Sequence, residues 1–468
     1  MDEYGTTSTK ADSNDDEIEL TLDEVYEQIG RGPAQYIYWL IAGILSLYDS
    51  AEIALIGIVL PYLNCHWSLS PLFEKALSTS TFIFYAIFAI SLGKITDKFG
   101  RKPVLLCSVC LLTFGSITSA LAPNKWVFLI ARSTVGACVG INISCLVCYA
   151  TEFCRSKDRL IGMAIFTLAS AISVLTVDML AWLILQRGGW RWLMLAFGLP
   201  MLLPLLLIVH MPGSPRYFLV SGKQDKAAEA VRFIARLNNV QLHPKFKLSR
   251  SCKNNADLGS YSVIFGSEHR RSLLTLSSLY SLTIFNAFAC VLYLPLIFVY
   301  GCSSRSSSAT DRNCAITNQH LLQITISAMP ITIGNIISMI LCFIFRRLPT
   351  LRLTTFIATF SAVGFFFCPK GNDAILIVSI FNFFLGFMLN LSWVTVSESF
   401  PTNIRSTAIG FINSCSKICG VLGSIMVSFF YFQNPYIVPG FLATSCAMTF
   451  VISLIYNKET KDVVIKDT

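Results

Sequence analysis

The sequence predicts an all-α membrane protein in which twelve transmembrane helices form two six-helix, pseudo-symmetric bundles. Three observations predict it. The 468 residues are 54% hydrophobic and 13% charged, with a mean hydropathy of +0.62, whereas about a quarter of a soluble chain is charged. Apolar stretches of the ~20 residues that cross a bilayer core recur about twelve times. The second half also repeats charged features of the first. Inside lipid, backbone polar groups bond within their own segment, so each stretch is expected to be a helix.

In chain order, residues 1–35 read as an acidic cytosolic tail. Its opening, "MDEYGTTSTKADSNDDEIELTLDE", is polar and expected to be loosely ordered. It has no basic-then-apolar leader, so the first span is expected to act as an uncleaved signal. Residues 36–211 hold the first bundle, with spans at 36–63, 76–95, 103–122, 126–150, 161–185 and 190–211. Residues 212–272 are a polar cytosolic linker, where "KQDKAAEAVRFIARLNN" spaces its apolar residues for one short surface helix. Residues 273–456 hold the second bundle, with spans at 273–300, 320–345, 353–368, 374–397, 407–432 and 436–456. A cytosolic tail, 457–468, follows.

The loops "GKITDKFGRK", "EFCRSKDRL", "RRLPTLR" and "TNIRS", with the linker, carry most of the lysines and arginines and lie on one side. Positive loops mark the cytosolic face, so both termini are expected there. The net charge of +9 therefore reports topology, and no nucleic-acid partner is expected. The repeat appears in "ATEFCRSKDR", which closes the fourth span, and "VSESFPTNIR", which closes the tenth. Each sets an acid seven residues before an arginine: Glu152 with Arg159, and Glu398 with Arg405. Repeated six-helix halves are how many secondary transporters build a midplane site between bundles.

"SLYDSAEIALIG" places Asp49 and Glu52 near the middle of the first span, three residues apart and so on one helix face. An acid at mid-membrane costs about 2.5–3.5 kcal/mol on insertion scales, so that face is expected to look into an aqueous cavity. Two readings stand. Either both acids are structural, paired to a buried base, or they form a cation or proton site, since neighbouring carboxylates repel when both are ionised. Lys417, at comparable depth in the eleventh span, is the natural counterpart: it binds a substrate carboxylate, pairs with the acids, or is structural. Gly136 and Gly140 form a G-x-x-x-G face suited to helix packing.

Most of the sixteen cysteines lie inside spans as small apolar residues. Cys302 and Cys314 share the external loop "GCSSRSSSATDRNCAITNQH", where a disulfide and two free thiols are equally open. There is no Gly-x-Ser-x-Gly elbow, P-loop or Cys/His cluster, and the five histidines are scattered. No enzyme, metal or cofactor is expected.

"GKITDKFGRK" (Gly93 to Lys102) resembles the signature loop of the major facilitator superfamily, in which Gly93, Asp97, Gly100 and Arg101 are the matching positions. The resemblance implies that Asp97 sits against a helix N-terminus and basic groups to hold one conformation closed. Further motifs are similar to the synaptic vesicle glycoprotein 2 family and its small vesicle-related, organic-ion-transporter-like relatives. They are "TLDEVYEQIGRG", the Asp-x-x-Glu of "YDSAE", "GWRWL", "GSPRYFLVSGKQDKA" (with Gly213 in place of an acid), "NAF", "SESFPTNIRSTAIGF", "GFINSCSKICGVLG" and "NKETKD". The short loop "NCHWSLSPLFEK" departs from organic-cation and organic-anion carriers, and "SLYSLTIFNAFACVLYLP" departs from hexose carriers.

The resemblance implies that Asp49 and Glu52 line a central cavity. It implies that Arg132 acts in proton coupling, although snorkelling is an equal alternative. Asp178 stands beside the position of a family acid, and Asn390 fits the tenth-span pattern. Trp393 replaces an acid, and Cys290, Val291 and Leu292 replace a Tyr-Tyr-Gly element. The implied function is a monomeric secondary transporter of a small organic ion, coupled to protons or not, in a vesicle or plasma membrane. The alternative is a transporter-shaped vesicle protein that binds or regulates without carrying. "RRLPTLR", where Arg346 replaces the gate-loop acid, motivates that alternative.

Overall fold

The computed structural model describes residues 18–155, 158–243, 246–248, 265–300, 317–367, 371–400, 405–431, 433–434 and 436–457. The first half contains α1 (Leu22–Ile29), α2 (Pro33–Trp67), α3 (Pro71–Phe99), α4 (Arg101–Leu121), α5 (Lys125–Glu152), α6 (Arg159–Gly198) and α7 (Leu202–His210). The linker supplies α8 (Pro215–Val220) and α9 (Gln224–Leu237). The second half contains α10 (Ser267–Tyr300), α11 (Asn318–Ile344), α12 (Arg347–Gly364), α13 (Asn372–Glu398), α14 (Arg405–Phe430) and α15 (Ile437–Ile455). Gly189 breaks α6 with φ +77°, so α6 and α7 together make two crossings. Among the described residues this gives twelve transmembrane helices.

Local sequence explains the helix ends. Pro33 opens α2 at a position where its missing N–H is no loss, and Gln35 Oε1 accepts from Gly32 N at 3.0 Å. Asn124 caps α5 by accepting from Trp126 N and Val127 N at 3.1 and 3.0 Å. Within the first half, α2 packs on α5 and α6, and α3 and α4 pack on α5. Within the second, α10 packs on α14, α11 on α13, and α12 on α13 and α15. The halves repeat down to their backbone contacts. A Cβ at Gly136 or Gly140 of α5 would collide with the Thr81 or Tyr85 carbonyl of α3. A Cβ at Gly386 of α13 or Gly334 of α11 would likewise collide with the Ile331 or Phe383 carbonyl of the facing helix.

The halves meet along α3–α14, α6–α11 and α2–α10. We call the end bearing α1, α8 and α9 the base and the opposite end the top. At mid-height and above, Ser78 Oγ donates to Ser428 Oγ at 2.9 Å, and Thr332 Oγ1 donates to the Ala171 carbonyl at 2.8 Å. Gly57 brings α2 so close to α10 that a Cβ there would lie 2.5 Å from the Val291 carbonyl oxygen. Phe288 packs on Phe82 at 5.5 Å between centroids. This is a seal across the top. Cys65, at the top end of α2, is disulfide-bonded; Cys302 and Cys314 lie outside the described residues.

The base corrects two expectations. Part of the supposedly loose tail is ordered: Ile18–Leu20 forms a strand parallel to Phe246–Leu248 of the linker. Thr21 then starts α1 with a reciprocal cap, its N–H donating to Glu24 Oε2 at 2.8 Å and its Oγ1 accepting from Glu24 N at 3.3 Å. α1 buries Val25, Tyr26 and Ile29. Among its described residues the linker carries two helices, α8 and α9, where one was expected. Asn238, just past α9, accepts from Ala34 N at 2.9 Å and donates to Gln35 Oε1 at 2.9 Å, tying the linker to the start of α2.

Candidate functional site

Glu52, halfway along α2, meets Arg132 of α5 in the membrane interior. Arg132 Nη1 donates to Glu52 Oε2 at 2.5 Å, and neither side chain has any exposed surface. Arg132 Nη2 donates to the backbone carbonyl of Glu52, and Ser116 Oγ of α4 donates to Glu52 Oε1. The acid is thus locked into three helices of the first half. The expectation that both acids look into an aqueous cavity is corrected: each is wholly buried. Snorkelling of Arg132 is also excluded, because its guanidinium points into the bundle.

Asp49 turns towards the same seam but meets a neutral partner. Asn142 Nδ2 donates to Asp49 Oδ1 at 3.0 Å, and the Asn142 carbonyl oxygen accepts from Ser108 Oγ. Asp49 Oδ2 is buried with no hydrogen-bond partner. An orphaned buried oxygen of this kind is rare, because its desolvation is not repaid.

Lys417 does not pair with these acids. Its Nζ lies 5.1 Å from the centroid of the Tyr85 ring, across the α3–α14 seam. Arg132, 80 residues from Glu52 in sequence, takes the place proposed for Lys417. Tyr85 is the candidate residue that sequence reading missed. Its ring also packs on Phe288 at 5.8 Å, and its hydroxyl lies within electrostatic reach of both Asp49 and Tyr280. Tyr280 packs on Trp393 at 5.5 Å between centroids. Only the low exposure of a tyrosine in an apolar span distinguishes it, and sequence does not report that.

The remaining predicted residues scatter. Asn390 donates to Ser338 Oγ at 2.8 Å and so belongs to the α11–α13 seam inside the second half. Asp178 is buried where α6 meets α11, its backbone carbonyl accepting from Thr325 Oγ1 at 3.1 Å. At the base, Arg101 pairs with Glu152, and Gly100 takes φ +86° with the Tyr217 ring against it. Glu398 accepts two bonds from Arg347, Nη2 at 3.1 Å and Nε at 3.3 Å. The expected second-half partner was Arg405, whose side chain lies outside the described residues, as do those of Asp97 and Arg159 and the surroundings of Gly93.

A profile of the Major Facilitator Superfamily matches residues 41–424. The chain belongs to this superfamily. Within it, the chain is 26% identical to the synaptic vesicle 2-related protein of Xenopus laevis over 471 residues, covering 98% of this chain and 84% of that one. It is 30% identical to organic cation/carnitine transporter 7 of Arabidopsis thaliana over 230 residues, 49% of this chain and 46% of that one. A partially occluded, inward-open structure of the xylose transporter XylE from E. coli superposes with a TM-score of 0.68 at 18% identity. It covers 92% of this chain and 99% of XylE. That likeness shows the major facilitator fold.

Proposed function

We propose that this chain is a secondary transporter that moves a small organic ion by alternating access, with Asp49 carrying a coupled proton. The observation that supports it most directly is the orphaned Asp49 Oδ2 in the membrane interior, beside a Glu52 already neutralised by Arg132. A carboxylate in that setting holds a proton on Oδ2 while Asn142 keeps its other oxygen oriented. Tyr85 joins this first-half site to Lys417, Tyr280 and Phe288 of the second half, so a change at Asp49 is felt at the seam between the halves. Rocking about that seam would open the top and close the base.

In this reading the base faces the cytosol, as its concentration of lysine and arginine favours. The protein acts as a monomer in a vesicle or plasma membrane, and its similarity to synaptic vesicle 2-related proteins favours vesicles. Purified protein in liposomes, offered a panel of organic ions with and without a pH gradient, tests the proposal. Uptake that rises with the gradient and falls with Asp49→Asn is expected. A well-folded preparation that moves nothing under any gradient would leave the non-carrying alternative. The gate loop that motivated that alternative still holds Glu398 through Arg347.

A further inference from the structure

Lys417 is a cation half-buried in the middle of α14, and its ammonium lies over a ring, that of Tyr85. Among the described residues no carboxylate lies within ion-pairing distance of its ammonium. The acids that share its depth are engaged elsewhere: Glu52 by Arg132 and Ser116, and Asp49 by Asn142. A positive charge left uncompensated at this depth calls for an anion. The surfaces around it describe that anion. Tyr85 lies beneath the ammonium, Phe288 packs beside Tyr85, and Tyr280 and Trp393 form a tilted pair, 41° between ring planes, on the side towards the base. Phe288, Tyr280 and Trp393 are each only partly covered, so each keeps some surface beyond its present ring contacts. Aromatic faces take planar rings by offset or edge-on stacking. A single lysine is a compact point charge and balances one negative charge, not two.

Resting on the transport reading above, we infer that the transported ion is an aromatic monocarboxylate, with Lys417 as its counter-charge and Tyr280, Phe288 and Trp393 as its stacking surface. Lys417 then determines specificity for anions over cations, since an organic cation of the same shape is repelled there. The charge balance is consistent with this assignment. Glu52 and Arg132 cancel, and a protonated Asp49 leaves Lys417 to be neutralised by the bound carboxylate. Proton and anion then cross together without net charge.

Equilibrium binding to the purified full-length protein tests the assignment and needs no flux. The probes are 3-phenylpropionate, 1-naphthoate and indole-3-acetate, each against the amine and the primary amide of the same ring. At least one acid is expected to bind about tenfold or more tighter than its amine and amide, the amount expected of one well-placed charge. Lys417→Gln is expected to abolish that preference, while Lys417→Arg keeps it. The melting temperature of each variant without ligand identifies any that fail to fold, and the arginine variant then carries the comparison. No binding by any acid, equal binding of acid and amine, or a preference that survives Lys417→Gln would overturn the inference. An acid that binds but is never transported would sink the transport reading and leave Lys417 assigned. Transport of an amine with no acid binding would do the reverse.

Discussion

Arg132 reaches Glu52 twice, once at the carboxylate and once at the backbone carbonyl of the same residue. It therefore fixes both the charge and the helix that carries it. A buried pair of this kind gains little over well-packed apolar residues, because two charges have been taken out of water. Removing one partner, however, strands the other. The pair looks costly as a stability device and makes sense as a means of holding α2 in register on α5 beside Asp49.

Breaking it should be strongly non-additive. Arg132→Met and Glu52→Gln are each expected to destabilise the protein, Arg132→Met by about 3–5 kcal/mol because it leaves a bare carboxylate in the bundle. The double variant, with no stranded charge, should be more stable than Arg132→Met alone. Thermal unfolding of the four proteins in one detergent decides it. Single effects that simply add would show that the two residues are not coupled.

Two glycines should behave differently because one lies between the halves and the other within one. Gly57→Leu places a side chain where the Val291 carbonyl sits across the seam, so it is expected to disfavour the sealed top. A cysteine introduced at Ser78 should then be labelled faster from the top, with melting temperature little changed. Gly140→Leu forces α5 off α3 inside the first half and should lower stability by about 1–3 kcal/mol or prevent folding. Faster Ser78→Cys labelling in Gly140→Leu, with normal stability, would contradict this division.

The linker clasp gives a third expectation. Asn238 bonds both the Ala34 N–H and the Gln35 side chain, and replacing it leaves the first turn of α2 short of a partner. Asn238→Ala is expected to cost about 1–2 kcal/mol. It should also expose the α9 segment to limited proteolysis sooner than the transmembrane helices. An unchanged cleavage rate would mean that the pairing of Ile18–Leu20 with Phe246–Leu248 alone holds the linker.

Most of the fold was legible in the sequence, because hydropathy and the positive loops are local signals and lipid leaves helices as the solution for isolated spans. The site was legible only in part. Asp49 and Glu52 announce themselves as acids in an apolar run, but nothing nearby says which base meets them. Lys417 was the candidate the sequence offered, and packing of α2 on α5 put Arg132 there instead. Arg347 taking Glu398 is the same kind of event, since a loop that looks degenerate as a motif still supplies a partner in space. Tyr85 and α1 were missed for a related reason. A tyrosine in a span and a short amphipathic turn in an acidic tail acquire meaning only from surfaces far away in sequence.

The two base ion pairs give the last expectation. In the first half Glu152 is 8% exposed and Arg101 25%, whereas in the second Glu398 is 32% exposed and Arg347 11%. Burial pushes the Glu152 carboxyl up from its ordinary value, while Arg101 first, then the Ser214 hydroxyl and the Arg216 charge, draw it down, so the acid leans most on Arg101 to stay ionised. Water around Glu398 screens its pair, and exposed pairs contribute under about 1 kcal/mol, whereas one-sided loss of a buried pair costs about 3–5 kcal/mol. Arg101→Gln, which leaves Glu152 buried with only the Ser214 hydroxyl and the Arg216 charge to support it, should therefore lower the melting temperature and loosen the base of the first half more than Arg347→Gln does for the second. Thermal unfolding and labelling of single cysteines placed at each base, read on both variants, decide it. Equal losses would show that burial of the acid does not set the strength of these pairs.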